Sequence, residues 1–242
     1  MKHLGPAVVA LLAAASVALC QSAESGAPVE NERAFEFIQI EPGDTGYRAF
    51  ERQVFADFVK AAQGDEEARQ RLIAECERAL EADAEHAEAI AWRGAARMFE
   101  AGKASSSGDF RAAMNHTNAS LADLNRAREL EPENPGVRMV AANMLLSLAK
   151  HHPIENMANG YARQGIEDAQ VALAKLQANW DKQPVEVKGQ LMLGVAEAYD
   201  KLGEATKARD WFNRVIGAVP GTMWAQQAQA WIEAADKKAS SF

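Results

Sequence analysis

Cysteine is scarce in this sequence, which has only Cys20 and Cys76 in 242 residues. Cys20 follows an N-terminal apolar run, so removal of that run together with Cys20 would leave a single thiol. A chain with one cysteine forms no intrachain disulfide, and its stability must therefore come from packing. Cys76 falls between Leu72 and Ala79 on one face of a predicted helix, which indicates a small buried residue rather than a reactive thiol.

A clustered run of lysine and arginine is also missing. The chain has 26 basic and 34 acidic residues, and its formal net charge is -8. Binding to nucleic acid or to an anionic lipid surface requires a concentrated basic patch. We therefore expect neither nucleic acid nor an anionic membrane surface among the direct partners of this chain.

Signatures of enzyme chemistry are absent as well. The sequence has no G-x-G-x-x-G, no G-x-x-x-x-G-K-S/T, no H-E-x-x-H and no G-x-S-x-G. The one adjacent histidine pair, His151 and His152, would point about 100° apart on a helix and would not readily share a metal ion. The sequence therefore predicts a protein with no catalytic residue, no metal site and no cofactor.

The marked apolar run of the chain is short and lies at the N-terminus. A basic start at residues 1–3 precedes apolar residues 5–19, and polar sequence follows. A spanning helix needs roughly 20 apolar residues, so this pattern is typical of a secretory signal peptide over residues 1–23. We expect an exported, periplasmic bacterial protein. The alternative is a lipid on Cys20, because residues 17–20 resemble the bacterial lipoprotein box, although Leu19 departs from it.

Residues 189–222 contain a helix, a short turn, a second helix and a stop. Gly203 ends the first predicted helix and Pro220 ends the second. Five positions of this 34-residue unit carry the expected residue types, and they are Ala196, Gly203, Ala208, Phe212 and Pro220. This spacing resembles the tetratricopeptide repeat (TPR), from which Met192 and Val215 depart.

Partial matches extend the resemblance over residues 65–222. Gly94 holds a position where close helix packing needs a small side chain, and the helix ending near Leu130 is seven residues longer than the family spacing allows. The resemblance implies an all-α fold, an α-solenoid of antiparallel helix pairs with a C-terminal capping helix. The predicted divisions are the signal peptide 1–23, an extended leader 24–44 and a helical domain 45–240, with pairs at about 45–83, 86–131, 135–179 and 184–219 and a cap at 221–238.

The leader carries four apolar residues, namely Phe35, Phe37, Ile38 and Ile40. They are apolar enough to pack against the first helices or to form a short strand, and periodicity does not separate these alternatives.

The resemblance further implies that the first helix of each pair lines a concave groove. Its lining positions correspond here to Ala91, Ala95, Met98, Phe99, Met139, Asn143, Leu146, Leu193, Glu197 and Asp200. The groove would be apolar at one end and acidic at the other. We expect a non-catalytic scaffold that binds a peptide or helix there. The alternatives are a transporter-associated accessory protein with a pocket for a small apolar ligand, and a stripe that is simply core.

Overall fold

The computed structural model describes residues 49–183 and 185–240, which form nine α-helices and one 3-10 helix and contain no strand. The predicted signal peptide, the leader and Cys20 lie outside the described residues. The helices are α1 (Ala49–Ala62), α2 (Glu66–Ala82), α3 (Ala87–Ser106), α4 (Phe110–Leu130), α5 (Pro135–His151), α6 (Glu155–Leu176), the 3-10 helix (Gln177–Lys182), α7 (Val185–Lys201), α8 (Ala205–Ala218) and α9 (Met223–Ala239).

Three-residue turns join the helices of each pair, so the paired helices lie side by side in opposite directions. Gly64, Gly108 and Gly203 occupy three of these four turns with positive φ angles, which only glycine adopts without strain. Asp65 and Asp109 cap the helices that follow them, because each carboxylate accepts a hydrogen bond at 3.0 Å from the amide three residues later.

Neighbouring helices pack in pairs, namely α1 with α2, α3 with α4, α5 with α6 and α7 with α8, and α9 packs on α8. In addition, each odd-numbered helix contacts the next odd-numbered helix, from α1 through to α9. Helix α5 is central, since Val140 and Met144 join an N-terminal core while Ala142 and Leu146 join a C-terminal core. Both faces of α5 are therefore buried.

Gly94 lies where α3 and α4 approach most closely, as the sequence predicts. A Cβ atom there would lie 3.2 Å from the Ser120 carbonyl oxygen and 3.2 Å from Asp123 Cβ. The Ser120 hydroxyl donates a 2.6 Å hydrogen bond to the Gly94 carbonyl oxygen. Beside this contact the buried Asp123 carboxylate accepts from Arg93 and Arg97, which fixes the two helices together.

A second buried carboxylate, Asp168 of α6, joins three helices. It pairs with Arg128 of α4 through a 2.7 Å contact and with Arg138 of α5. Asp168 is fully buried, so its charge depends on these two guanidinium groups for compensation.

Cys76 is fully buried, as predicted, and burial raises the pKa of its thiol to about 12. A thiol with so high a pKa is almost entirely protonated at neutral pH, and the thiolate is the nucleophilic form. Cys76 is therefore a packing residue of the N-terminal core.

Helix α6 begins at Glu155 and ends at Leu176, where the 3-10 helix continues to Lys182. The helix that exceeds the TPR spacing, α4, is matched in length by its partner, because α3 has 20 residues against 21 in α4.

Candidate functional site

A half-open cleft lies between α5, α7 and α9, with a volume of about 250 Å³. It continues between α5 and α7 into a second recess of about 240 Å³, with which it shares Leu146, Lys150, Gly194 and Glu197. We refer to the two together as the main cleft. Only odd-numbered helices contribute to its walls.

The floor of the main cleft is apolar. Leu146 and Leu193 are buried beneath it, and Trp224 and the exposed Met223 of α9 form the opposite wall. Trp224 lies directly on Gly189, where a Cβ atom would come within 2.5 Å of the indole ring. This glycine allows the ring to lie close against α7 and shape that wall.

The rim of the main cleft carries uncharged polar side chains from all three helices. Asn143 and Ser147 come from α5, Gln190 from α7 and Gln227 from α9. Each amide offers both donors and an acceptor, so the rim matches a ligand that presents both, as a peptide main chain does.

One ion pair crosses the main cleft from α5 to α7. Lys150 Nζ donates to Glu197 Oε1 at 2.7 Å and to Oε2 at 2.9 Å. Lys201 lines the same recess as Asp200. The sequence indicated an acidic end to the groove, but two lysines stand beside its two acids and offset their charge.

His151 lines the main cleft at the end of α5. Burial lowers its pKa below the usual value, and the positive charges of Lys150 and Lys201 lower it further. These effects disfavour the charged form of the imidazole at this helix end. The adjacent His152 acts locally, since its Nδ1 accepts a hydrogen bond at 3.1 Å from the Ile154 amide.

A smaller recess, the side pocket, adjoins the main cleft on its N-terminal side. Its volume is about 60 Å³, and it is shaped by α1, α3, α5 and α7. The apolar side chains that line it are Phe55, Phe58, Trp92, Met139, Val140, Met144 and Val187. It shares Asn143, Met144 and Gln190 with the main cleft, so the two recesses are continuous.

The ten residues expected to line one groove fall into two groups. Six line these recesses: Asn143, Leu146, Leu193 and Glu197 in the main cleft proper, Asp200 in its continuation and Met139 in the side pocket. Three of those six, Met139, Leu146 and Leu193, are more than nine-tenths buried, so they present little surface to a ligand.

The other four, Ala91, Ala95, Met98 and Phe99, pack in the N-terminal core and line none of the three recesses. Helix α1 lies against this region, and the Phe58 ring centroid is 5.0 Å from that of Trp92 and 5.1 Å from that of Phe99. At this end the alternative of a core stripe describes the structure better than a groove.

Sequence reasoning missed several residues of the main cleft. Trp224 and Gln227 belong to α9, which the sequence analysis interpreted only as a capping helix and not as a wall of a binding site. Ser147 and Lys150 lie beyond the positions taken from a 34-residue unit, because α5 has 17 residues. The small residue Gly189 was a signal in the sequence that a bulky side chain packs on α7.

Among the described residues, no group of three or more histidine, cysteine, aspartate or glutamate side chains has a geometry suited to a metal ion. Within the same part of the chain, every helix is too short or too polar to cross a membrane. Comparison with family models, with curated proteins and with solved structures gives no match to this chain.

Proposed function

We propose that this chain is a non-catalytic scaffold protein of the bacterial cell envelope, built as a TPR-like solenoid, which binds a peptide or helix of a partner protein in the main cleft. The packing supports the solenoid interpretation. Odd-numbered helices contact one another in chain order, and α2, α4 and α6 each contact the odd-numbered helix that follows. Successive helix pairs stack in this way in helical-repeat proteins.

The observation that carries the functional proposal is the composition of the main cleft. Met223 and Trp224 give the half-open cleft an apolar wall that a ligand can reach, Leu146 and Leu193 back its floor, and side-chain amides form the rim. Peptide recognition uses such a division, in which apolar side chains enter the floor and polar groups bind at the rim. The exposed Met223 adds a flexible apolar contact that adapts to different partners.

The openness of the main cleft favours a peptide over the small apolar ligand of the alternative hypothesis. Both of its recesses are half-open to solvent. Sites that enclose a drug-sized ligand bury most of its surface. The ion pair Lys150–Glu197 also lines the cleft, and an apolar ligand bound there would remove water from these two charged groups without replacing its hydrogen bonds.

The proposed location follows from residues 1–23 and is independent of the cleft. Cleavage after the apolar run would release a periplasmic chain. Lipid on Cys20 would instead tether the same helical domain to a membrane, without a spanning segment. Either route places the main cleft outside the cytoplasm, where the partner would be an envelope protein.

Two adjacent glutamines on α9 provide a matched test. Both are exposed, but Gln227 lines the main cleft and Gln226 does not. Peptides would be selected from a random library on the purified chain, and their affinities measured by fluorescence anisotropy. Gln227→Trp should fill the cleft and weaken binding about tenfold or more, or about 1.4 kcal/mol, whereas Gln226→Trp should not.

Equal affinities in the two variants would overturn the assignment of the main cleft. Failure to select any peptide, combined with saturable binding of a small apolar dye that Gln227→Trp abolishes, would favour the accessory-protein alternative. Circular dichroism of both variants checks that the tryptophan leaves the helical fold intact.

A further inference from the structure

The side pocket is too small for a helix, and its lining is mainly apolar, with Glu51 and Glu186 also contributing to it. Phe58 and Trp92 meet edge to face in its wall, with ring centroids 5.0 Å apart, and Met139, Met144 and Val187 complete it. A recess of about 60 Å³ accommodates one apolar side chain of an extended segment. Its methionine side chains are flexible, so the wall of the pocket can adapt to the side chain that enters.

The chain itself supplies such a segment close to the side pocket. Helix α1 begins at Ala49, and Phe55 of the same helix lines the pocket about 9 Å further along the axis. Ile40 precedes Ala49 by nine residues, which span at most about 30 Å when extended. The linker contains Pro42 and Gly43, which favour a turn over continuation of α1 to the N-terminal side.

The composition of the leader identifies which part of it fits. Residues 24–34 are mainly polar, charged or small, whereas residues 35–40 contain Phe35, Phe37, Ile38 and Ile40. A tethered segment has an effective concentration on the order of millimolar at a site within reach, so a weak apolar contact is sufficient for occupancy.

We infer that residues 35–40 of this chain insert into its own side pocket and, from there, compete with the partner peptide at the main cleft. The competition rests on the proposed function, because Asn143, Met144 and Gln190 are shared by the two recesses. The insertion itself stands on the side pocket alone. The leader thus acts as an internal ligand that the partner must displace.

Photo-crosslinking on the full chain tests the insertion. A benzophenone amino acid at position 37 should crosslink to Met139 or Met144 of the same chain, located by mass spectrometry of the digest. The same probe at position 31, outside the apolar run, is the matched control and should not reach these methionines. Crosslinks from position 37 that avoid the pocket, or that join two chains, would overturn the inference.

Methyl NMR of the methionines provides a second readout that does not depend on a probe. Phe37→Asp should shift the signals of Met139 and Met144, while the exposed Met157 on α6 should keep its signal. Asn31→Asp adds the same charge to the leader and should shift none of them. Unchanged pocket signals in Phe37→Asp would also overturn the insertion.

The competition is tested with the peptides selected above. Phe37→Asp should raise their affinity about tenfold, and Asn31→Asp should leave it unchanged. A crosslink at the pocket with unchanged peptide affinity would overturn the competition. If no peptide binds any variant, the proposed function fails while the crosslink still decides the insertion.

Discussion

Replacing Glu88 by glutamine should flatten the pH dependence of folding stability. Glu88 lies in the first turn of α3 and is only 6% exposed. Asn134 Nδ2, at the start of α5, donates to its Oε1 at 3.4 Å. Burial raises the pKa of Glu88 to about 7, and the negative charges of Glu51 and Glu131 raise it too, against the hydrogen bond from Asn134.

The direction of this pH dependence follows from the protonation of Glu88 in the folded and the unfolded state. The unfolded carboxyl group has a pKa near 4.5, so between about pH 4.5 and 7 the folded state holds a proton that the unfolded state has lost. The resulting stability is present at low pH and is lost as pH rises through 7. Between pH 5 and pH 8 the loss amounts to about 2–3 kcal/mol.

Urea unfolding followed by circular dichroism at pH 5 and pH 8 measures this difference. Glutamine cannot ionise, so Glu88→Gln should lose about 2–3 kcal/mol less than the parent over this range. Any cost of burying the amide applies at both pH values and cancels in the comparison. Glu167→Gln, on an exposed position of α6, is the matched control and should follow the parent. Parallel profiles for the parent and Glu88→Gln would refute the reasoning.

Three further predictions concern packing, buried charge and processing. In urea unfolding, Gly165→Ala should destabilise the chain by roughly 1–3 kcal/mol, because the new Cβ would lie 2.9 Å from Leu146 Cγ. Gly160→Ala on the same helix should stabilise it by about 1 kcal/mol, because no atom lies within 4 Å of the new Cβ. Asp168→Asn should cost about 3–5 kcal/mol, since the half-buried Arg128 and Arg138 lose the buried carboxylate that pairs with them. The same assay should show almost no change for Glu85→Gln, because Glu85 is exposed. Mass spectrometry of the protein from its own cells should give a mature chain that starts within residues 21–24, and an acylated Cys20 at the start would contradict this.

The helices could be predicted well from the sequence because their signals are local. Gly64, Gly108 and Gly203 mark the turns, and Asp65 and Asp109 mark the helix starts that follow two of them. Each signal acts through a backbone conformation or a hydrogen bond within a few residues, so it can be read without knowledge of the fold.

Charge partners could not be predicted, because they come from distant parts of the chain. Asp123 and Asp168 are buried and paired with arginines from other helices. Arg128 and Asp168 are 40 residues apart in sequence. Only the packing of successive helix pairs brings them together.

The candidate site was predictable in part for a related reason. Asn143 and Glu197 line the main cleft, at positions that the resemblance to TPR units implies for a groove. Met98 and Phe99 do not line it, because the periodicity does not show that α1 and its aromatic residues pack against the same region. A helix position specifies a face, and the neighbouring element decides whether that face is open.

Leu146 links the main cleft to the interior of the protein. It lines both recesses of the cleft and belongs to the C-terminal core. Its side chain also packs against Gly165 of α6 and Gly194 of α7. Because the side chain lies close against both glycines, a displacement of Leu146 away from the cleft presses on α6 or α7. A ligand pressing on the cleft floor would therefore change the slow amide hydrogen exchange of α6, a helix it never touches.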